Sequence, residues 1–422
     1  MNFSRTVLPN GLRLITVPMK DNPTATVLVM VEAGSKYELK EQSGLSHFLE
    51  HMCFKGTVRR PKAIDISREL DGIGAEYNAF TGHEYTGYYA KADVKHFRAV
   101  LDVVSDIYLN STLPSAEMEK EKGVIVEEIN MYRDLPHRHV QDLFLELLYG
   151  DQPAGRSILG TKETVMSFTR EDFAKYRGRQ YIAGATSVVV AGGVSETTVK
   201  QAVVEAFKGA PVGEKGEKEK TREEQATPAV QIEERQTDQT HLVLGVRTTD
   251  AYHHDNPVFA VLTGVLSGGM SSRLFQKLRE EMGVCYYVRA EHDTYTDHGY
   301  LSISVGSDRK RVPEVVGVLI EELRRLKDEP VGEAELQKVK DHLLGSMFLS
   351  LETSDALTNF YAAQEVLRKP LEKPDERGAK VLAVSSAEVQ RVANEFLKSD
   401  SLNLALVGQG ANSTELIRLL SL

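Results

Sequence analysis

The chain has 422 residues, 41% of them hydrophobic and 27% charged, a globular composition with length for more than one core. Lys and Arg number 51 against 61 Asp and Glu, and the formal charge of −10 excludes the broad basic surface that nucleic acid requires. Two cysteines, Cys53 and Cys285, exclude a disulfide framework and fit a reducing compartment.

Residues 1–11 hold no signal-like apolar core, and nowhere do about 18 apolar residues run together, so a cytoplasmic protein with no membrane contact is expected. β-Branched and aromatic runs predict strands over 26–32 and 85–91. Between them, residues 44–54 read as a helix with Ser46 as a candidate cap. Residues 97–131 predict two helices split by Leu-Pro-Ser-Ala-Glu at 113–117, and 181–207 predict strand, glycine turn, helix. Residues 213–225 mix both charge signs without one large apolar side chain, which predicts a solvated linker over 213–228. Beyond it the pattern returns, with strands over 241–247 and 299–304, two helices in 313–348 split by a Pro-Val-Gly break, and a closing strand, turn and helix over 396–420. The halves read as duplicates. An α+β fold follows, with two homologous domains, 1–212 and 229–422, each a largely antiparallel sheet with helices on one face.

The helix at 44–54 carries His47, Glu50 and His51. Imidazoles four residues apart project from one face, and Glu50 shares it, which suits a zinc ion and a water-activating base. A histidine pair on an amphipathic helix is more often a solvated one, so a third protein donor must decide. Glu127 and Glu128 are adjacent candidates. Helical spacing groups Glu128 with Glu121, Val124, Ile125 and Tyr132 on an apolar stripe and leaves Glu127 on the solvated side. Glu128 is therefore the expected ligand, and Glu121, two turns earlier, is placed to hold a ligand histidine through its other ring nitrogen.

Gly34-Ser-Lys-Tyr-Glu38, Gly44-Leu-Ser-His-Phe-Leu-Glu-His-Met-Cys-Phe-Lys-Gly-Thr57 and the E-x6-E pair Glu121 and Glu128 closely resemble the pitrilysin/insulinase family of inverted-zincin metallopeptidases. The resemblance extends over nearly the whole chain. It implies one Zn2+ per chain on His47, His51 and Glu128, with Glu50 as general base. It implies that Asn78, Ala79, Phe80 and Thr81 lie on an exposed edge strand that pairs with substrate backbone. It also implies that Arg279 and Tyr286, seven positions apart, bind the substrate carbonyl. Short members of the family form dimers, so a homodimer, or a heterodimer, enclosing a chamber for peptides or unfolded segments is expected, with Arg279 and Tyr286 serving either chain's zinc.

Without the resemblance, Arg279 reads as a helix-surface charge and Tyr286 as a strand-core residue. His253, His254, His137 and His139 read as loop or helix-start residues, His83 as an ordinary hydrogen-bonding group, and Cys53 and Cys285 as small buried hydrophobes. The expected function is zinc-dependent endopeptidase. The alternatives are a non-catalytic peptide-binding subunit and a presequence-processing peptidase.

Overall fold

The structure is a computed structural model that describes residues 2–409 and 412–422. In chain order the first half runs β1 (Ser4–Val7), β2 (Arg13–Pro18), β3 (Thr24–Val31), α1 (Leu45–Cys53), α2 (Ala63–Gly72), β4 (Glu76–Thr81), β5 (Thr86–Asp93), α3 (Phe97–Asn110), α4 (Ser115–Asp134), α5 (Pro136–Tyr149), α6 (Lys162–Ser167), α7 (Arg170–Gln180), β6 (Thr186–Gly192) and α8 (Glu196–Ala206). The second half runs β7 (Ala229–Glu234), β8 (Thr240–Thr248), α9 (Asn256–Ser267), a π-helical turn at Phe275–Glu281, β9 (Cys285–Thr294), β10 (Gly299–Ser307), α10 (Val312–Asp328), α11 (Glu333–Ser350), α12 (Ser354–Val366), α13 (Pro374–Ala383), α14 (Ser386–Phe396), β11 (Asn403–Gly408) and α15 (Ser413–Leu419). The strands expected from the sequence are present within three residues at either end, and the helix breaks fall where proline and glycine place them.

Each half builds one sheet, ordered β1-β2-β6-β3-β5-β4 in the first and β7-β11-β8-β10-β9 in the second. One pair in each is parallel, β2 with β6 and β7 with β11, and the others are antiparallel. Apart from β1 the two orders correspond strand for strand, which is the duplication seen in the sequence.

Packing divides the chain into two compact units, and they exchange segments. The first holds residues 1–129, 157–219 and 349–373, and the second holds 130–156, 220–348 and 374–422. Thus α5, from the first half, belongs to the second unit, and α12, from the second half, belongs to the first.

Strand periodicity explains the exchange. Along β8, Leu242, Leu244 and Val246 face the core built with α9 and α10. Val243 points to the opposite face, where Ala405 and Val407 of β11 join it against Val140, Leu143, Phe144 and Leu148 of α5. In the first unit Val27, Val29 and Val31 of β3 pack with α1 and α3. Thr26, on the other face, has Oγ1 2.8 Å from Ser354 Oγ of α12. The expected helix layer therefore covers one face of each sheet, and a helix from the other half covers the second face. Buried charge ties α12 down: Arg5 bonds Glu365 at 2.8 and 2.9 Å, and Arg13 Nε lies 2.8 Å from Glu365.

The charged stretch 213–225, expected to be fully solvated, is in part seated. Gly216 is buried, and Lys215 and Lys218 are half-buried.

Candidate metal centre

The helix α1 forms because Leu45, Phe48, Leu49, Met52 and Cys53 make one buried apolar face. It starts at Gly44, whose φ of 95° lies in the left-handed region, and a Cβ there would lie 2.5 Å from the Leu159 carbonyl oxygen. The expected cap, Ser46, is instead inside the first turn with Oγ 2.7 Å from Tyr176 Oη. Glu38 takes the capping role, its carboxylate accepting from Gly44 N at 2.8 Å and Ser46 N at 2.6 Å. Its negative charge also complements the positive end of the helix dipole.

On α4 the inward side is narrower than the sequence implied. Met118, Glu121, Lys122 and Ile125 are buried and Glu128 half-buried, while Val124 is 52% exposed. Only the rows spaced three and four residues through Ile125 face inward, and Val124 points away from them. Glu127 is exposed, as expected.

These two helices bring the candidate ligands together. His47 Nε2 and His51 Nε2 each lie 3.6 Å from Glu128 Oε2, and the three ligand atoms lie within 4.8 Å of one another. Ligand atoms about 2.0–2.2 Å from one tetrahedral ion are separated by about 3.3–3.6 Å, so this donor set fits zinc. The imidazoles meet edge to face at 4.6 Å. His51 Nδ1 lies 2.9 Å from Glu121 Oε1, which orients the ring with Nε2 toward Glu128, and Lys55 Nζ lies 2.6 Å from the other Glu121 oxygen. His47 Nδ1 is buried with no hydrogen-bond partner among the described residues, so packing holds that ring.

The electrostatics differ from group to group. Burial pushes His47 down to about 3, with His51 adding to the effect, so its imidazole is neutral at physiological pH and available as a ligand. Burial opposes charge on His51, but the hydrogen bond to Glu121 and the surrounding carboxylates prevail and raise its pKa. Burial would also raise Glu121, but His51 and Lys55 hold it below the usual carboxylate range. Glu128 is raised by burial. Glu50 is raised by burial too, against the pull of a hydrogen bond from Thr81.

That bond links the helix to the sheet edge. Thr81 Oγ1 donates to Glu50 Oε2 at 2.6 Å from the last residue of β4. Among the described residues β4 pairs with β5 alone, in the register Glu76 with Lys91 through Thr81 with Thr86, so its other side is an open sheet edge. Asn78 is exposed, and Ala79, Phe80 and Thr81 are half-buried. Ala79 N donates to Asn78 Oδ1 at 2.9 Å.

Arg279 and Tyr286 are neighbours in the second unit. The Arg279 guanidinium donates to the Tyr286 carbonyl oxygen at 2.7 Å and lies 5.5 Å from the centre of the Tyr286 ring. Tyr286 is 73% exposed at the start of β9, the edge of its sheet, rather than a strand-core residue.

The other histidines have ordinary partners. Arg391 bonds the Asp255 carboxylate beside the exposed His254. His139 Nε2 lies 2.6 Å from Glu233, and His83 Nδ1 lies 2.9 Å from Ser35 Oγ. Cys53 is buried beneath Tyr88. Sequence reasoning missed Lys55 and Glu38. Lys55 lies two residues past the end of α1, where helical spacing gives no signal. Glu38 had none, because it reaches α1 across an irregular turn.

A family model described as Insulinase (Peptidase family M16) matches residues 13–162, and one described as Peptidase M16 inactive domain matches residues 167–343. A Bacillus subtilis protein named an uncharacterized zinc protease is 34% identical over 97% of this chain and 99% of its own. A Mycobacterium leprae protein of the same description is 36% identical over 83% of this chain and 80% of its own. A solved protease from Helicobacter pylori has the same fold, with a TM-score of 0.89, 21% identity and coverage of 96% of this chain and 99% of its own. No helix among the described residues is long and apolar enough to cross a membrane.

Proposed function

The chain belongs to the insulinase family of M16 peptidases, and from that premise we propose that it is a zinc-dependent endopeptidase acting on peptides and unfolded polypeptide segments. One observation carries the proposal: the nitrogens of His47 and His51 converge with a Glu128 oxygen while Glu50, on the same helix, is tied to the open edge strand.

His47, His51 and Glu128 would hold the ion, and Glu121 orients His51. A zinc ion there supplies Lewis acidity, lowering the pKa of a water and polarising a carbonyl. The substrate backbone pairs with Asn78 to Thr81 along the free side of β4, which reads main chain and tolerates varied side chains. Glu50 accepts the proton of the attacking water and delivers it to the departing amine. By the family resemblance, Arg279 and Tyr286 donate to the carbonyl oxygen as charge develops, in their own chain's site or the partner's. The working form is a cytoplasmic homodimer. Its support is the resemblance of this two-domain chain to the short members of the family, and a fully active protein that is strictly monomeric in analytical ultracentrifugation would remove it.

The test is metal content together with hydrolysis of a mixed peptide library by wild type and Glu50→Gln. One zinc per chain in both, with hydrolysis only in wild type, is expected. Equal hydrolysis by Glu50→Gln overturns the assignment of the base, and zinc-free protein overturns the site.

A further inference from the structure

Residues 213–219, Gly-Glu-Lys-Gly-Glu-Lys-Glu, have the composition of a solvated tether, yet two lysines seat them on the first unit. Lys215 Nζ lies 2.9 Å from Glu32 Oε2 and 2.9 Å from Tyr37 Oη, and 4.5 Å from the centre of the Tyr37 ring. Lys218 Nζ lies 2.5 Å from Glu84 Oε1. Both carboxylates are inside the protein, Glu32 at 7% and Glu84 at 3% exposure, where an ion pair is far less screened than at the surface. Between the anchors Gly216 is buried so tightly that a Cβ would come within 2.5 Å of Arg179 Nε and Gln180 Nε2.

The anchors lead to two parts of the catalytic site. Tyr37 precedes Glu38, whose carboxylate holds the first turn of α1, the helix of His47, Glu50 and His51. Glu84 follows Thr81 by three residues, and Thr81 holds Glu50. Lys36 Nζ, 3.2 Å from the same Glu84 oxygen, ties the two parts to each other.

We infer that residues 213–219 form a strap that positions α1 and the end of β4, with Lys215 and Lys218 as positioning residues for the hydrolysis, an inference that rests on the peptidase reading above. Loss of the lysines leaves a folded protein, because Glu32 keeps Arg13 at 2.7 Å and Arg368 at 2.6 Å, and Glu84 keeps Lys36. What relaxes is the registry of residues 35–38 and 82–84 against the helix. Displacements well under an ångström in such a site cost turnover rather than binding, here about tenfold.

The experiment compares full-length wild type, Lys215→Met/Lys218→Met and Lys215→Arg/Lys218→Arg. A Glu-specific protease reads the strap through Glu214, Glu217 and Glu219, and peptide hydrolysis reads kcat and KM separately. In the Met variant cleavage within 213–219 is expected to rise by about tenfold and kcat to fall by about tenfold, with KM within about twofold and recovery in the Arg variant. Equal protease sensitivity of wild type and Met variant overturns the strap, and an unchanged kcat in a variant whose segment has opened overturns its positioning role. Should wild type hydrolyse no peptide, the peptidase reading fails separately, and the Co2+-loaded proteins decide the strap. Visible bands that shift in the Met variant and return in the Arg variant support it, and identical bands overturn it.

Discussion

The contact of α1 with α4 and that of α9 with α11 occupy corresponding places in duplicated halves, yet their interiors differ in kind. In the first unit the meeting is polar, with His51 on Glu121 at 2.9 Å and both histidines facing Glu128. In the second it is apolar and close: a Cβ on Gly264 of α9 would lie 2.6 Å from Val339 Cγ1 and 3.4 Å from Leu343 Cδ1 of α11. Aligned on their sequences, Val339 stands where Glu121 stands and Ser346 where Glu128 stands. The same architecture therefore brings together a His-His-Glu group of metal-binding geometry in one unit and plain apolar packing in the other. Four polar side chains make the difference, and the fold supports either.

The largest effect expected is on turnover. Glu50→Gln keeps the ligands and the hydrogen bond to Thr81 but removes the base, so kcat falls by about 10³-fold while zinc content is unchanged, measured by metal analysis beside peptide hydrolysis. Next is Glu121→Gln, which loosens His51 without touching a ligand atom, and zinc affinity in competition with a chelator drops by about 10–100-fold. The corresponding change in the other unit, Val339→Glu with Ser346→Glu, gives no second zinc, because α9 has no histidines to meet the new carboxylates. Gly264→Ala tests the apolar contact directly. It costs about 1–3 kcal/mol in denaturant unfolding of the second unit, because Val339 must move to admit the methyl group, and it leaves metal binding intact.

The smallest effect is on the pH profile. Glu50 acts as a base only when it is ionised, so kcat/KM declines toward acid as its carboxylate becomes protonated. The hydrogen bond from Thr81 stabilises the carboxylate and lowers its pKa. Its removal in Thr81→Val therefore moves the acid limb further up, and a limb that moves down contradicts the assignment.

Much of the site was legible because its signals are local. His47, Glu50 and His51 share a helix face by spacing alone, and Glu121 and Glu128 recur two turns apart on another. Val124 shows the limit of such reasoning, since periodicity marks a stripe but only packing sets its width. Ser46 shows another: a serine near a helix start is an acceptable cap, but the helix begins two residues earlier, at Gly44, and Glu38 reaches the free N–H groups instead.

By itself the sequence determined the duplicated α+β halves, the helix breaks and the shared helix faces of the His47-Glu50-His51 and Glu121-Glu128 groups, since each follows from short-range periodicity and residue chemistry. The tertiary structure alone decided that α5 and α12 change units, that Glu38 caps α1 and that Lys215 and Lys218 seat a stretch composed like a tether. Those pairings join positions between 6 and about 360 residues apart, as Glu38 with Gly44 and Arg5 with Glu365. Their free energy comes from burying a sheet's second face or neutralising a buried carboxylate, and no local pattern along the chain encodes which distant segment will do so.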